Sequence, residues 1–143
     1  MNTVHDILKD KGNKVLSVGP DDSVLKALEL MAEKNVGALL VLDGDSVAGI
    51  FSERDYCRQV LEDARSPKAM KVRELMTTTV MGVTPERTTE ECLALMTDKR
   101  IRHLPVLQNQ RVIGVVSIGD IVKKIIAHQQ FTISELGNYI SAG

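Results

Sequence analysis

The chain has 143 residues, 43% hydrophobic and 26% charged, with 18 basic and 19 acidic side chains leaving a formal net charge of −1. That is the composition of one compact domain, or of two half-size units sharing a core, and a chain this long buries about two-thirds of its unfolded surface without a disulfide or structural metal. A near-neutral chain with no tryptophan and only Phe51, Phe131, Tyr56 and Tyr139 as aromatics lacks both the basic field and the stacking platform that nucleic acid requires.

Reading from the N-terminus, Met1 to Asp6 has neither a basic nor an apolar leader pattern, and the longest apolar runs, such as Leu39 to Leu42, are strand-sized. These features predict a soluble cytoplasmic protein with no membrane segment. Cys57 and Cys92 stand far apart with no Cys-x-x-Cys and no histidine pair, which suits a reducing compartment and gives no zinc site. Residues Val15–Val18 read as a short extended segment, followed by Pro20 and a polar turn whose Ser23 can cap a helix. That helix carries Val24, Ala27, Leu28, Met31 and Ala32 on one face. Two apolar runs, Gly37–Leu42 and Val47–Phe51, flank Asp43-Gly44-Asp45-Ser46, the composition of a hairpin turn. A second helix follows near 53–64.

The same order then returns. Shifted by 65 positions, Val15–Val60 lies on Val80–Ile125 without a gap, with identities that include Pro20/Pro85, Met31/Met96, Val41/Val106, Gly49/Gly114, Ser52/Ser117 and Asp55/Asp120. A repeat of this kind sets the architecture. Thr88 with Glu91 fits a capping box, Thr89, Cys92, Leu93, Met96 and Thr97 repeat the helical face, and a second helix is predicted near 118–129. Thr3–Leu8 resembles Lys71–Met76 upstream of each copy. The expected fold is α+β: two pseudo-two-fold-related β-α-β-β-α units packed as one module. Their expected bounds are 1–65 (core 15–60) and 66–130 (core 80–125), joined by a short polar linker at Asp63–Lys71. Residues 131–143 form a separate short C-terminal helix in this reading, opened by a Thr132/Glu135 capping box and docking through Leu136, Tyr139 and Ile140 on the module or on a second chain. Pseudo-symmetry would place equivalent clefts between the copies.

The doubled Gly-x-x-Ser-x-x-Asp, at Gly49–Asp55 and Gly114–Asp120, is the most informative pair. Serine at a helix N-cap with an acid in the first turn is accounted for by capping alone. The same groups can take phosphate on the serine and free N–H groups, and ribose hydroxyls on the aspartate. Spacing leaves both accounts open. The copies differ where Gly37-Ala38 in the first corresponds to Arg102-His103 in the second, on the strand that continues to Pro105. Arg102, His103 and Arg54 are candidate phosphate ligands, and the small Gly37 and Ala38 leave room for a ring. Catalysis has little support: Cys92 lies on a core stripe, and Cys57 has no triad-like partner in the sequence.

Taken together, the doubled order and its Gly-Ala-Leu-Leu-Val and Arg-His-Leu-Pro-Val strands resemble a tandem cystathionine-β-synthase (CBS) domain pair, or Bateman module, over about residues 1–130. Ser52–Asp55, Lys99–Val106 and Gln129–Ile133 are similar to the small stand-alone CBS pairs of bacteria and to a plant organelle group. The resemblance implies regulatory binding of AMP, ADP, ATP, NAD or S-adenosylmethionine. It would give Asp55 and Asp120 the ribose, Ser52 and Ser117 the phosphate, and Leu16 or Met81 with Met76-Thr77 the adenine, while Gly37, Ala38, Arg102 and His103 line the clefts. Leu8-Lys9 stands where the first copy would need Met-Thr. A homodimer and an unidentified regulated protein in trans are implied as partners. The alternatives are a ligand-independent dimeric adaptor and a redox-linked regulator acting through Cys57; no enzyme is expected.

Overall fold

The computed structural model describes residues 2–142, with side chains through residue 138. In chain order the elements are α1 (Val4–Lys11), β1 (Ser17–Val18), α2 (Val24–Lys34), β2 (Ala38–Asp43), β3 (Ser46–Ser52) and α3 (Glu53–Glu62). They continue with α4 (Val72–Leu75), α5 (Thr89–Lys99), β4 (His103–Gln108), β5 (Arg111–Ser117) and α6 (Ile118–Ala142). The doubled β-α-β-β-α order and the α+β class agree with the repeat. The first strand of the second copy is reduced to one parallel bridge, Val83 to Val106.

Two compact units result. A central unit comprises Val15–Met81 with Asn109–Val112, and a terminal unit comprises Met1–Lys14, Gly82–Gln108 and Ile113–Gly143. This division differs from the expected bounds 1–65 and 66–130, because each copy of the repeat packs the short helix that precedes the other copy. In the terminal unit Val4, Ile7 and Leu8 of α1 are buried with Val83, Cys92, Met96, Leu104, Val106, Val116 and Ile121. In the central unit Met70 and Val72 are buried with Val18, Val24, Ala27, Met31, Leu39, Val41 and Phe51.

Backbone hydrogen bonds repeat the exchange. The N–H groups of Val4 and His5 donate to the carbonyls of Arg87 and Pro85, and Thr89 N–H donates to Asn2. In the central unit Val72 and Arg73 donate to Asp22 and Pro20, and Val24 donates to Met70. Met70 is 1% exposed, so one residue near the end of the expected linker belongs to a core. First-turn N–H groups of α1 and α4 are thereby satisfied by the copies they cover, and those of α2 and α5 by the residues just ahead of α4 and α1.

Local chemistry explains the elements. Ser23 Oγ accepts from Lys26 N at 3.1 Å, and Thr88 and Glu91 form the predicted reciprocal capping box at the start of α5. The predicted helical faces are buried at Val24, Ala27 and Met31 and at Thr89, Cys92 and Met96. Both helices end on a left-handed residue, Asn35 (φ 55°) and Arg100 (φ 56°), the conformation that frees the chain to turn into the next strand. β2 pairs parallel with β1 and antiparallel with β3 from Ala38↔Ser52 to Asp43↔Ser46, with an irregularity at Val41/Leu42. Leu39, Leu40 and Val41 are all buried, as in a strand covered on both faces. The β4–β5 turn takes positive φ at Asn109 (53°) and Gln110 (67°), the paired left-handed residues of a two-residue hairpin turn.

The C-terminal segment departs from expectation. α6 is one helix of 25 residues from Ile118 to Ala142, rather than a helix ending near 129 and a second short one. No proline interrupts the segment, and Thr132 Oγ1 donates to the His128 carbonyl at 3.0 Å, a bond made inside a helix rather than at its start. Phe131, Ile133 and Leu136 are exposed, so the segment does not dock on its own chain through them. The side chains of Tyr139 and Ile140 lie outside the described residues. Among those described, no helix is long and apolar enough to cross a membrane.

Candidate functional site

Each unit carries one Ser-x-x-Asp at the point where a strand passes into a helix. In the central unit β3 ends at Ser52, which is the N-cap of α3. Ser52 N donates to Asp55 Oδ2 at 2.9 Å, Ser52 Oγ donates to the same oxygen at 2.9 Å, and Asp55 N donates back to Ser52 Oγ at 3.2 Å. The start of α3 is tied to β2 by Glu53 N donating to the Gly37 carbonyl at 3.0 Å. A capping box therefore holds the aspartate in a fixed pose through Oδ2, while Oδ1 accepts from Thr77 Oγ1 at 3.5 Å.

Thr77 reaches this place because its backbone adds to the edge of β3. Ile50 N donates to the Thr77 carbonyl at 3.0 Å and Thr77 N to the Ile50 carbonyl at 2.8 Å. Gly49 makes the approach possible: a Cβ there would stand 2.7 Å from the Thr77 carbonyl oxygen and 2.9 Å from Met76 Sδ. Met76-Thr77, which the sequence places ahead of the second copy, thus lies beside the Ser-x-x-Asp of the first copy in the central unit.

The terminal unit repeats the cap and changes its surroundings. Ser117 N donates to Asp120 Oδ2 at 2.9 Å, Asp120 N donates to Ser117 Oγ at 3.1 Å, and Ile118 N donates to the Arg102 carbonyl at 2.8 Å. Here α1 is eight residues long where α4 has four, so the chain continues as helix beyond Leu8 and does not add to β5 as Thr77 adds to β3. Lys11, on the additional turn, sends its ammonium to Asp120 Oδ2 at 2.6 Å and to the Val115 carbonyl at 2.9 Å. Asp10 on the same turn pairs with Lys124 of α6. Gly114 takes the place of Gly49, its notional Cβ 2.7 Å from Leu8 Cδ2.

Charges follow from this geometry. Burial acts against the Asp120 carboxylate, but the Lys11 ammonium and the Ser117 N–H outweigh it and hold its pKa below the usual value. Burial of His103, reinforced by the nearby Lys11, holds its pKa below 6.5, so the ring is neutral near pH 7. Arg102 is exposed beside it.

The remaining predicted residues fall as follows. Leu16 is half-buried and packs on the central core. Gly37 is exposed, with open space where a side chain would stand, and Ala38 is half-buried. Arg54 is exposed in the first turn of α3. Met81 is 40% exposed. Pro105 is buried, its carbonyl accepting from Val83 N at 3.0 Å. The structure thus gathers Ser52, Asp55 and Thr77 in one unit and Ser117, Asp120, Arg102 and His103 in the other. Lys11 was missed by sequence reasoning. Its only signal was the three residues by which the segment before the first copy outlasts its counterpart.

Cys57 is exposed on α3, whereas Cys92 is buried, which pushes its thiol pKa up to about 11. A buried neutral thiol of that kind is packing. Among the described residues no group of three or more His, Cys, Asp or Glu is placed to hold a metal ion.

Comparison with known proteins sets these observations in context. The family model for the CBS domain matches residues 4–62 and 72–127. The mitochondrial CBS domain-containing protein CBSX3 of Arabidopsis thaliana is 39% identical over 99% of this chain and 73% of its own length. The structure of a CBS-domain protein from Burkholderia ambifaria MC40-6 superposes with a TM-score of 0.84 at 54% identity, covering 92% of this chain and 99% of that one. A CBS-domain protein from Agrobacterium tumefaciens superposes with a TM-score of 0.80 at 38% identity, over 85% and 91% of the two chains.

Proposed function

The chain belongs to the CBS-domain family, with two copies in tandem, and we propose that it is a regulatory module that binds an adenosine-containing nucleotide through its two Ser-x-x-Asp sites. The observation that carries this reading is the pose of Asp55. Its Oδ2 is used by the capping box while Oδ1, among the described residues, has the one long contact to Thr77, so a carboxylate with spare acceptor capacity stands at a helix N-terminus. A ribose hydroxyl suits that oxygen, and a phosphate suits the Ser52 hydroxyl and the free N–H groups of α3. Ser117 and Asp120 have the same relation to α6. Leu16 and Met81, each on the segment ahead of its copy's proline, would face the adenine. Arg54, Arg102 and His103 would meet phosphate, beside Gly37, Ala38 and Pro105 on the matching strands.

A CBS domain pair of the same fold, 22% identical to this chain, is known in complex with 5′-methylthioadenosine and S-adenosyl-L-methionine. That pair illustrates the ligand class; the support specific to this chain is the geometry of Asp55. The ligand proposed here is AMP, ADP, ATP or NAD, because Arg102 and His103 suit phosphate better than a sulfonium. No catalytic step is assigned. The signal would pass in trans to another protein, which requires that the nucleotide bind two arrangements of the module unequally.

A second reading makes the chain a dimeric adaptor whose serine and aspartate are helix caps only. It is favoured by the completeness of both capping boxes and by the exposed Leu61 (88%) on α3 and Val122 and Ile126 on α6. Those side chains also support a homodimer under either reading, to be checked by light scattering.

Thermal unfolding of the full chain with AMP, ADP, ATP, NAD and S-adenosylmethionine separates the two. A ligand specific for the folded state adds about 2.7 kcal/mol at one hundred times its Kd. A shift with a nucleotide, lost in Asp55→Ala or Asp120→Ala, is the expected result. No shift with any of them, on protein freed of carried-over nucleotide, overturns the sensor and leaves the adaptor.

A further inference from the structure

Resting on the nucleotide reading above, we infer that Lys11 is a built-in occupant of the Asp120 site, so that Asp55 takes the first nucleotide and Lys11 sets the affinity of the second site. The Lys11 ammonium binds Asp120 Oδ2 at 2.6 Å and the Val115 carbonyl at 2.9 Å. The matching acceptors in the central unit are Asp55 and the Ile50 carbonyl, which meet the Thr77 hydroxyl at 3.5 Å and the Thr77 backbone N–H at 2.8 Å. One side chain of α1 therefore takes both partners that a threonine serves in the other copy, and it brings a full positive charge.

The two carboxylates then differ in what a ribose must displace. Asp55 Oδ2 accepts from the Ser52 hydroxyl, whose proton can rotate to a ligand while the backbone bond stays. At Asp120 the equivalent place is filled by an ammonium anchored on a second acceptor, and the helical turn that carries it is fastened by the Asp10–Lys124 ion pair. A ribose whose two hydroxyls span both oxygens of Asp120 competes with the Lys11 ammonium at Oδ2, a partly exposed pair, which weakens binding by about tenfold. The neighbouring His103 is neutral near pH 7 and does not compete for the carboxylate.

Titration calorimetry of the full chain with AMP, and in parallel with ATP, tests this on the wild type, Asp55→Asn, and Asp55→Asn combined with Lys11→Met or Lys11→Arg. The tighter event in the wild type is expected to vanish in Asp55→Asn. Lys11→Met should then raise the affinity of the remaining site about tenfold, and Lys11→Arg, which keeps the cation, should not. Thermal unfolding confirms that each variant folds, and Lys11→Gln replaces Lys11→Met should the latter not fold. An unchanged affinity in Lys11→Met overturns the occupant role, and so does a reduced one, which would make Lys11 a phosphate ligand; the nucleotide reading survives both. Absence of binding by wild type and all variants overturns the nucleotide reading, and this inference with it.

Discussion

The two Ser-x-x-Asp sites share a cap and differ in the strip of chain laid against it. At Asp55 the strip is extended and contributes Thr77 through its backbone, whereas at Asp120 it is helical and contributes Lys11 through a long side chain. A duplicated motif therefore conserves the group that fixes the aspartate, while the segment added from outside the repeat decides its electrostatic setting. The duplication supplies the frame and the exchanged segments supply the difference.

The largest test of this comparison lies in the cores. Phe51 occupies in the central unit the repeat position that Val116 occupies in the terminal one, and both are 0% exposed. Phe51→Ala should cost about 3–5 kcal/mol and Val116→Ala about 2 kcal/mol in urea unfolding. Equal losses would show that the two cores do not depend on these side chains in the way their burial implies.

The paired glycines come next. A methyl at Gly49 meets a backbone oxygen held in the Thr77 bridge, while a methyl at Gly114 meets the movable end of Leu8. Gly49→Ala should cost about 2–3 kcal/mol and Gly114→Ala about 1 kcal/mol. The reverse order in denaturant midpoints would break the assignment of Thr77 to a rigid strip.

A smaller effect separates the helix ends. Asn35 and Arg100 hold the same left-handed conformation, which asparagine tolerates better than arginine. Arg100→Asn should raise stability by about 0.5–1 kcal/mol, and Asn35→Arg should lower it by a similar amount in thermal unfolding.

The smallest concerns pH. The folded pKa of His103 lies below 6.5, so well above pH 6.5 the ring is neutral in both states and costs nothing. As pH falls through 6.5 toward the folded value, the unfolded chain takes up a proton that the folded chain does not, and stability declines. His103→Gln should flatten that decline. Asp6, Asp22 and Asp120, whose folded pKa values lie below 3.8, lose their contribution only at more acid pH, so the two windows are separable in one stability profile.

Much of this was legible in the sequence. The caps at Ser23, Thr88, Ser52 and Ser117, the helical faces and the hairpins are local, and a gapless offset between copies repeats them. The exchange of α1 and α4 was not legible, because a short amphipathic segment next to one copy carries no mark of which copy it will cover. Lys11 escaped for a related reason: its role depends on one more turn of helix and on the reach of a side chain across to α6, neither of which residue spacing records. The continuity of α6 was hidden by a Thr132/Glu135 spacing that imitates a cap inside an unbroken helix.

The exchange of segments also sets an order of events during synthesis. The central unit is almost contiguous, and most of it has left the ribosome once Met81 emerges. Val4, Ile7 and Leu8 emerge ahead of the central unit, yet their partners Val116 and Ile121 follow about a hundred residues later, a delay of roughly 5–20 s at translation rates of about 5–20 residues per second. During that interval the apolar face of α1 is without its partners, so a nascent chain stalled before Gly82 would present Val4, Ile7 and Leu8 to chaperones while all of the central unit but 109–112 has already been made.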